Sequence, residues 1–478
     1  MNVTVNRGAV SAGLLIALCS AAPASGQYEA EVGRWLMQDA LDAPPEGGIV
    51  FTGSSSIRRW EYLQRDFADY NVIQRGLGGA LFDDINARAN DIVLSYNPRA
   101  VVVWAGTNDI ASGSDGNEVY ADYQQFVNTI HAAKADVEIF YLGIMPTPGR
   151  QGNRPQEDVA NSQIASYAAG DARLHYVDLP AAFATLNPYG DPAFTGKFVD
   201  DIHLNKSGYN FWTDIIRPQV EAVVAPDKTY QPNANAMRRG ESLLFDFGPL
   251  DSDDGEGTAS PDVRGNYWNN WYDPTDGGRD ILPGEHKGHL VETGGRDTGV
   301  ALTLTAQFES NGKRNGGLAT PSEALLGDLA VGTATVDYFF STGDDQQGGG
   351  NDDDGGGFML SGLDPTLEYE FAFFGSRNTT ETRITEYKVL GDGEWVAQLQ
   401  TSGDNIGADG TYDGNNDEIA LVTGVRPDEF GQVFVDMTLI QGQFAYINAM
   451  QVTAVPEPAS AAVVIGLGAG TLLRRRRR

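Results

Sequence analysis

The strongest constraint on the fold is an alternation of short apolar runs with amphipathic stretches between Val32 and Val224. Apolar residues recur at helical spacing in the longer stretches, whereas the short runs have the length of buried strands. Strands that alternate with helices favour βαβ units, and so predict an α/β domain with a parallel sheet covered on both faces. The predicted strands are Ile49–Phe51, Asn71–Gln74, Ala100–Trp104, Glu138–Met145 and Leu174–Asp178. The predicted helices are Leu81–Tyr96, Glu118–Ala133, Gln156–Ala169 and Ser207–Val224.

Four loops rich in small and polar residues follow strands of this predicted domain. Right-handed crossovers place the carboxyl ends of parallel strands at one rim of the sheet, and ligands bind at that rim in open α/β folds. We therefore expect the four loops to lie close together. They are Gly53–Ser56, Arg75–Ala80, Ala105–Asp109 and Val199–Asn205.

These loops carry the side chains that acyl transfer needs. A serine after Gly53 can act as a nucleophile when a base removes its proton, although a serine in this place can equally cap the next helix. His203 is the candidate base, and Asp200, three residues earlier, can orient its ring and favour the imidazolium. Glycine-rich backbone and an asparagine amide can donate hydrogen bonds to the oxyanion of a tetrahedral intermediate.

Four ordered blocks in these loops resemble the SGNH (GDSL-like) hydrolase superfamily. Gly53-Ser54-Ser55 resembles the Gly-Asp-Ser block, and this alignment selects Ser55 over its serine neighbours as the nucleophile. Gly79 corresponds to the glycine of the second block, and Gly106-Thr107-Asn108-Asp109 resembles the third block. Asp200-Asp201-Ile202-His203 resembles the Asp-x-x-His block. The resemblance covers roughly residues 45–224.

The resemblance implies a three-layer SGNH-type domain and a serine esterase mechanism. Ser55, His203 and Asp200 would form the catalytic triad. The N–H groups of Ser55 and Gly79 and the side-chain amide of Asn108 would form the oxyanion hole. The chain departs from the pattern at Ser54, where aspartate is usual, and at Gln74, where asparagine is common before the second-block glycines.

The remaining histidines fit structural roles better than catalytic ones. His131 falls on a predicted helix, and His175 falls in or beside the fifth strand. His286 and His289 are predicted to lie in a loop of the second region, where a metal contact is the alternative interpretation. Serine acyl chemistry needs neither a metal nor a cofactor, so none is predicted. Trp60, Arg58 and Arg59 are candidates to line the substrate site, although packing beneath the helix is the favoured interpretation for Trp60.

The charge of the chain argues against two classes of partner. Acidic residues outnumber basic ones 65 to 33, which gives a formal net charge of −32. Such a surface repels nucleic acid and anionic lipid, so neither is an expected partner. The single cysteine, Cys19, lies in a segment expected to be removed, so the mature protein would have no disulfides.

Both ends of the chain resemble export signals. Residues 1–26 have a positive start, a short apolar core and small residues before the expected cleavage site, as in a secretory signal peptide. In residues 455–478, Val455-Pro456-Glu457-Pro458 precedes an apolar run and five closing arginines, which resembles a PEP-CTERM sorting signal. That resemblance implies an exosortase-type processing enzyme as a partner and a location at the cell surface or in the extracellular matrix. The only expected membrane contact is through this segment.

The chain changes character after residue 225. Residues 27–225 form the predicted hydrolase domain, 226–240 a linker, and 241–454 a β-rich region with turns of Gly, Asp and Asn. Many short strands predict a β-sandwich, which would be similar to a jelly roll. Domains of this kind often bind carbohydrate, and that analogy of fold is the one reason to expect carbohydrate binding here. The predicted strands are Ser242–Phe247, Ala301–Phe308, Thr333–Phe340, Tyr369–Phe374, Glu386–Leu390, Trp395–Gln400, Glu418–Val422, Gln432–Met437 and Tyr446–Thr453.

Two features of the β-rich region have open interpretations. Tyr267, Trp268, Trp271 and Tyr272 fit either a sugar-stacking platform or core packing. The acidic stretches 344–354 and 404–417 fit either calcium-binding loops or solvated hairpin tips, and the second interpretation is favoured.

Together these features predict an exported serine esterase whose substrate is an ester, most simply an O-acetylated carbohydrate or polysaccharide. One alternative is a lipid or short-chain acyl esterase of the lysophospholipase type. Another is a surface adhesion or matrix protein without catalytic activity, which the complete set of four blocks argues against.

Overall fold

A computed structural model describes residues 28–249, 255–273, 281–312, 316–342, 355–404, 406–408 and 410–455. The predicted signal peptide, the PEP-CTERM segment after Val455 and the acidic stretch 344–354 lie outside these residues. Within the described part of the chain, no helix is both long and apolar enough to cross a bilayer.

The first domain is built on five parallel strands in the order β2-β1-β3-β4-β5. Each apolar run predicted as a strand is a strand in the structure. Strands β1, β3 and β4 consist almost entirely of buried residues, as expected for a parallel sheet that helices cover on both faces. Their bounds are β1 Ile49–Gly53, β2 Val72–Gly76, β3 Ala100–Trp104, β4 Glu138–Leu142 and β5 Leu174–Val177. The prediction of an α/β domain with a parallel sheet is confirmed.

The four predicted helices are present with bounds shifted by a few residues, and several short helices join them. The first helix, which the sequence pattern did not reveal, buries Val32 and Trp35 in the core of this domain. The helices are α1 Glu29–Leu41, α2 Ser55–Arg58, α3 Leu63–Asp66, α4 Phe82–Ile92, α5 Thr107–Ala111, α6 Gly116–Ala133, α7 Arg154–Ala168, α8 Leu179–Ala184, α9 Pro192–Thr195 and α10 Lys206–Glu221, with 3₁₀ turns at Leu94–Tyr96 and Pro148–Asn153.

Strand β1 is longer than predicted, which matters for the active site. Thr52-Gly53 was expected to end the strand, but Gly53 still pairs with Gly76 on one side and Trp104 on the other. Gly53 has a φ of 140°, and a Cβ there would lie 2.0 Å from the carbonyl oxygen of Trp104. Only glycine can continue the strand so close to its neighbour. The strand therefore ends two residues later than predicted, and only Ser54 separates it from the serine predicted as the nucleophile.

The second domain consists of mainly antiparallel sheets. A six-stranded sheet has the order β15-β14-β17-β12-β9-β8, a five-stranded sheet has the order β16-β13-β19-β6-β7, and β10-β11-β18 form a smaller sheet. The β6–β7 pair is parallel. The strands are β6 Ser242–Pro249, β7 Asn269–Asp273, β8 His286–Val291, β9 Asp297–Ala306, β10 Glu309–Asn311, β11 Tyr338–Thr342, β12 Gly357–Ser361, β13 Tyr369–Phe374, β14 Arg383–Leu390, β15 Glu394–Ser402, β16 Ala420–Val425, β17 Val433–Gln441, β18 Phe444–Ile447 and β19 Ala449–Ala454.

The two larger sheets of this domain share one hydrophobic core. The rings of Phe373 on β13 and Tyr387 on β14 stack across it with centroids 4.4 Å apart. The sheets thus bury their apolar faces against each other, which explains the alternating burial along β14.

Several predictions for this region are corrected. Thr333–Phe340 was predicted as one strand, but Gly332–Val336 is a helix (α12), which follows α11 Glu323–Leu326 and the 3₁₀ turn Gly327–Leu329. Thr335 is completely buried and bonds through its hydroxyl to the carbonyl of Leu318, so a tertiary contact overrides its β propensity. The strands β7, β8, β10 and β12 were not predicted, and His286 and His289 lie on β8 rather than in a loop. Trp268 and Trp271 are buried, so these two belong to core packing and not to a sugar platform.

Candidate active site

Ser55 lies where β1 ends and α2 begins. Ser54 is extended, and Ser55 is the first residue of the four-residue helix α2. Its N–H group has no acceptor within the helix, because the first N–H groups of any helix lack one. Ser54 and Ser56 are buried, whereas Ser55 is partly exposed to the rim of the sheet. Of these three serines, Ser55 is the one whose hydroxyl meets a histidine.

The predicted base and its partner stand next to Ser55. His203 Nε2 lies 2.9 Å from Ser55 Oγ, and His203 Nδ1 lies 2.7 Å from Asp200 Oδ2. The other carboxylate oxygen of Asp200 accepts the backbone N–H groups of Ile202 and His203, both at 2.6 Å. The turn Asp200–His203 is therefore closed by the same side chain that orients the imidazole. A distance of 148 residues in the chain separates Ser55 from its histidine.

The surroundings of Asp200 favour its ionised form. Burial alone would raise the pKa of this carboxyl, but hydrogen bonds from the His203 ring and from two backbone N–H groups outweigh burial and lower the pKa. The guanidinium of Arg59 lies 3.7 Å away and adds a positive charge. An ionised carboxylate at this place stabilises an imidazolium on His203.

The two remaining predicted residues lie on loops of the same rim. Asn108 is the second residue of α5, and its Nδ2 donates one hydrogen bond to the carbonyl of Ala80 at 3.0 Å. That bond fixes the amide plane and uses one of its two N–H groups, which leaves the other for a ligand. Gly79 is exposed with a φ of 76° in the loop before Ala80. The second and third loops are thus joined by the Asn108 side chain.

The departure at Gln74 has a structural explanation. Its amide Nε2 donates to the carbonyls of Ile57 at 2.7 Å and Trp60 at 3.0 Å. The side chain therefore ties β2 to the segment that follows the nucleophile. Gly76 allows the same approach, because a Cβ there would lie 2.2 Å from the backbone nitrogen of Arg58.

The comparison with protein families agrees with this geometry. Residues 46–211 match the GDSL-like lipase/acylhydrolase family. This part of the chain is a GDSL-like lipase/acylhydrolase domain. The protein is accordingly a carboxylic ester hydrolase. No curated protein sequence matches the chain.

Solved structures similar to the GDSL-like domain align with less than half of the chain. A GDSL-like lipase from Bacteroides thetaiotaomicron is 20% identical over 41% of this chain and 99% of its own, with a TM-score of 0.33. A lipase/acylhydrolase from Enterococcus faecalis is 21% identical over 38% and 99%, with a TM-score of 0.32. A catalytic mutant of an acetylxylan esterase from Geobacillus stearothermophilus is 16% identical over 37% and 95%, with a TM-score of 0.31.

A fifth loop of the GDSL-like domain, which the sequence reasoning missed, also reaches the site. The N–H of Gly149 donates to the carbonyl of Asp201 at 2.7 Å, and Arg150 Nη1 donates to Thr107 Oγ1 at 2.9 Å. This loop, Pro148–Asn153, therefore contacts both the Asp-x-x-His turn and the residue before Asn108. It follows β4, so the same strand-end rule that selected the other four loops would have found it.

Glu157 lies beneath this loop in an unusual environment. The side chain is 1% exposed, and its two carboxylate oxygens meet Thr107 Oγ1 at 3.4 Å and Arg154 Nη1 at 2.7 Å. Burial raises the pKa of Glu157 to about 7, although Arg154 and Arg150 act in the opposite direction. Burial likewise lowers the pKa of Arg150, which faces Glu157 and Asp200.

Of the other residues considered in the sequence, Arg59 lies 3.7 Å from Asp200, whereas the rest contact residues outside the triad. Trp60 is completely buried between Phe51, Tyr209 and Trp212, as expected. Arg58 binds Glu31. His131 and His175 are on α6 and β5. His286 contacts the carbonyl of Asp42, and His289 contacts Asp297. In the described ranges, no group of three or more His, Cys, Asp or Glu residues is arranged to hold a metal ion.

Proposed function

We propose that the protein is an exported serine esterase in which Ser55 is the nucleophile, His203 the general base and Asp200 the orienting carboxylate. The observation that carries this proposal is the continuous contact from Ser55 Oγ to His203 Nε2 at 2.9 Å and from His203 Nδ1 to Asp200 at 2.7 Å. Nucleophile, base and orienting group within hydrogen-bond reach are the signature of covalent acyl transfer.

The reaction follows from these contacts. His203 Nε2 takes the proton of Ser55 as Oγ bonds to the ester carbonyl carbon, whose oxygen becomes an oxyanion. Collapse of this intermediate breaks the bond to the alcohol oxygen, which receives the proton from Nε2. A water molecule then gives a proton to Nε2 and attacks the acyl-enzyme. The second intermediate collapses to release the acid and restores the proton to Ser55.

The oxyanion would be held by the N–H groups of Ser55 and Gly79 and by the Asn108 amide. Ser55 supplies the unpaired N–H of a helix start, Gly79 lies exposed in the neighbouring loop, and Asn108 is held in place by its bond to Ala80. Fixed donors of this kind stabilise the transition state because they need no reorganisation when the charge develops.

The proposed substrate is an O-acetylated carbohydrate or polysaccharide. The net charge of −32 disfavours anionic lipid surfaces, and a second domain of packed β-sheets, which we take for a jelly-roll-like sandwich, suits a glycan-binding partner of the hydrolase. Export through residues 1–26 and sorting through the PEP-CTERM segment 455–478 would bring the enzyme to surface or matrix glycans. Mass spectrometry of the mature chain tests both processing sites.

The test of the function compares initial rates on p-nitrophenyl acetate and octanoate with acetate release from acetylated xylan and pectin. Ser55→Ala is expected to abolish all of them, whereas Ser56→Ala, at the buried neighbour, is the matched control and should retain activity. Selectivity for acetyl groups supports sugar deacetylation, and preference for octanoate supports the lipid esterase. Activity that survives in Ser55→Ala would refute the proposed nucleophile.

A further inference from the structure

A cavity lies between the two domains, beside strand β2. Its volume is about 360 Å³, which is within the range of small-molecule sites. One wall is the outer edge of β2, another is the linker segment Lys228–Gln231, and the third is formed by β9, β12 and the turn at Phe430–Gln432. None of the five residues proposed for catalysis lines it. The cavity therefore exists only where both domains and the linker come together.

Lys228 brings a positive charge to this cavity, and no carboxylate of the described residues lies within 4 Å of its ammonium. Its Nζ donates to Gln432 Oε1 at 2.6 Å, and in the part of the chain that the structure describes this is its one side-chain partner. Burial lowers the pKa of Lys228 to about 8. A lysine ammonium that is withdrawn from water but not ion-paired is destabilised until an anion joins it.

Three carboxylates near Lys228 already have other partners. Asp428, which has the largest electrostatic effect on Lys228, accepts hydrogen bonds from the backbone N–H groups of Phe430 and Gln432 and from Gln432 Nε2. Asp227 pairs with Arg99 at 2.8 Å, and Asp69 pairs with Arg217 at 2.8 Å. The overall negative charge of the protein acts at longer range, and salt screens it beyond about 10 Å at 0.1 M ionic strength. Of the other charged residues that line the cavity, Arg75 pairs with Asp39, and Asp42 lies 3.9 Å from both His286 and His289. The ammonium of Lys228 therefore differs from them in having no oppositely charged side chain of the described ranges in direct contact.

Flat apolar side chains stand beside this charge. Tyr230, Phe430 and Pro44 line the cavity and are each partly exposed. The ring of Tyr230 lies on Gly431, where a Cβ would come within 2.7 Å of the ring. The C–H bonds of a sugar ring carry partial positive charge and pack well on the negative face of an aromatic ring.

The edge of β2 is not open to an added peptide strand. Its outward carbonyls are already used, because Gln64 Nε2 donates to Val72 at 3.3 Å and Arg75 Nη1 donates to Gln74 at 2.9 Å. Gly284 of the second domain also packs against Gln74, because a Cβ added to Gly284 would lie 3.1 Å from the Gln74 Cβ. Peptide recognition by strand addition needs a free row of such groups. A ligand in this cavity would therefore be bound by side chains rather than by the backbone of β2.

We propose that this interdomain cavity binds a sugar unit that carries a carboxylate, with the carboxylate on the ammonium of Lys228 and the sugar ring against Tyr230 and Phe430. The site would hold a uronic acid unit of a glycan. Its use in binding the ester substrate rests on the proposed function, in which the same glycan carries an acetyl group that reaches Ser55.

The test measures binding by calorimetry to the whole mature protein carrying Ser55→Ala, so that no ester chemistry interferes. The probes are trigalacturonate, neutral xylotriose and sodium acetate. Lys228→Met is expected to weaken trigalacturonate binding about 10-fold or more, because a charge-assisted hydrogen bond is lost. Lys228→Arg should largely preserve it. Lys388→Met, at a partly exposed lysine of β14 that lies outside the cavity, is the charge-matched control and should leave binding unchanged.

The outcomes separate this proposal from the proposed function. Trigalacturonate binding that is lost in Lys228→Met and kept in both Lys228→Arg and Lys388→Met supports the site. Equal binding of xylotriose, binding of acetate as tight as that of the trimer, or no binding of any sugar overturns it. Hydrolysis of p-nitrophenyl acetate by the protein with Ser55 intact is measured in parallel, and Lys228→Met should leave it unchanged. Failure of the esterase proposal would appear in that assay and not in the binding data.

Discussion

Replacing Asp200 by asparagine changes the protonation of His203 while keeping the shape of the side chain. In the native turn, one carboxylate oxygen accepts two backbone N–H groups at 2.6 Å and the other accepts from His203 Nδ1 at 2.7 Å. In the asparagine variant, the amide oxygen must accept from the two backbone N–H groups, because the NH₂ group is a donor and cannot bind them. The NH₂ group must then face Nδ1.

A donor facing Nδ1 forces the other tautomer of the imidazole, with the proton on Nε2. Nε2 would then donate to Ser55 Oγ and could no longer take its proton. In a serine hydrolase triad this change lowers kcat by about 10⁴-fold, or about 5.4 kcal/mol of transition-state free energy. We expect Asp200→Asn to show a loss of this size, with a circular dichroism spectrum like that of the native protein.

The assay is steady-state hydrolysis of p-nitrophenyl acetate. Asp201→Asn is the matched control, because Asp201 is exposed and meets the Gly149 N–H through its backbone carbonyl rather than its side chain. It removes the same charge one residue away and should retain full activity. A kcat for Asp200→Asn within ten-fold of the native value would refute the assignment of Asp200 as the residue that sets the tautomer.

Three further predictions follow from neighbouring contacts. Asn108→Ala should lower kcat roughly 100-fold or more with the fold intact, because one oxyanion donor is lost, and near-normal turnover would exclude Asn108 from the mechanism. Gly149→Ala would place a Cβ 2.9 Å from the Asp201 Cβ and displace the Asp-x-x-His turn, so kcat should fall about 10- to 100-fold, whereas Gly152→Ala, in open space on the same loop, should be neutral. The pKa of Glu157 is about 7 in the folded protein against a reference value of 4.5. Between these pH values the native state binds a proton that the unfolded chain has released. The free energy of unfolding therefore falls by about 3 kcal/mol as pH rises from 4.5 to 7. Urea unfolding at pH 5 and pH 8 should therefore show Glu157→Gln gaining stability relative to the native protein at the higher pH, and an equal difference at both values would contradict the shifted pKa.

The alternation of strands and helices in the first domain could be predicted from sequence because its signal is local. Each apolar run is long enough for a buried strand, and parallel strands joined by right-handed crossovers leave only one rim for the loops. The chain order therefore determined that Ser55, Asn108 and His203 would approach one another, although they are far apart in sequence. The loop that contains Gly149 follows β4 and also reaches this rim. It was missed because the search for polar residues at strand ends covered the loops after the other strands and not the loop after β4.

The second domain was harder to predict because its strands depend on neighbours that are distant in the chain. Gly357–Ser361 is a strand only because β9 and β17 pair with it on both sides. Thr335 belongs to a helix because its hydroxyl finds a buried carbonyl, against its own preference for strands. The sequence fits Trp268 and Trp271 equally well to a sugar-stacking surface or to the hydrophobic core. The assembled sheets that bury both side chains show that they belong to the core.

What the sequence by itself determined is the chemistry of the rim: which residue types are available, in which order, and at the ends of which strands. The family resemblance already selected Ser55 among three adjacent serines, and the tertiary structure supplied the physical reason, because the turn after Gly53 brings the Ser55 hydroxyl to the imidazole of His203. The tertiary structure decided the contacts between domains, such as Arg65 with Asp436, 371 residues apart, and the cavity at Lys228. These depend on how two independently patterned domains dock, and no local periodicity carries that information.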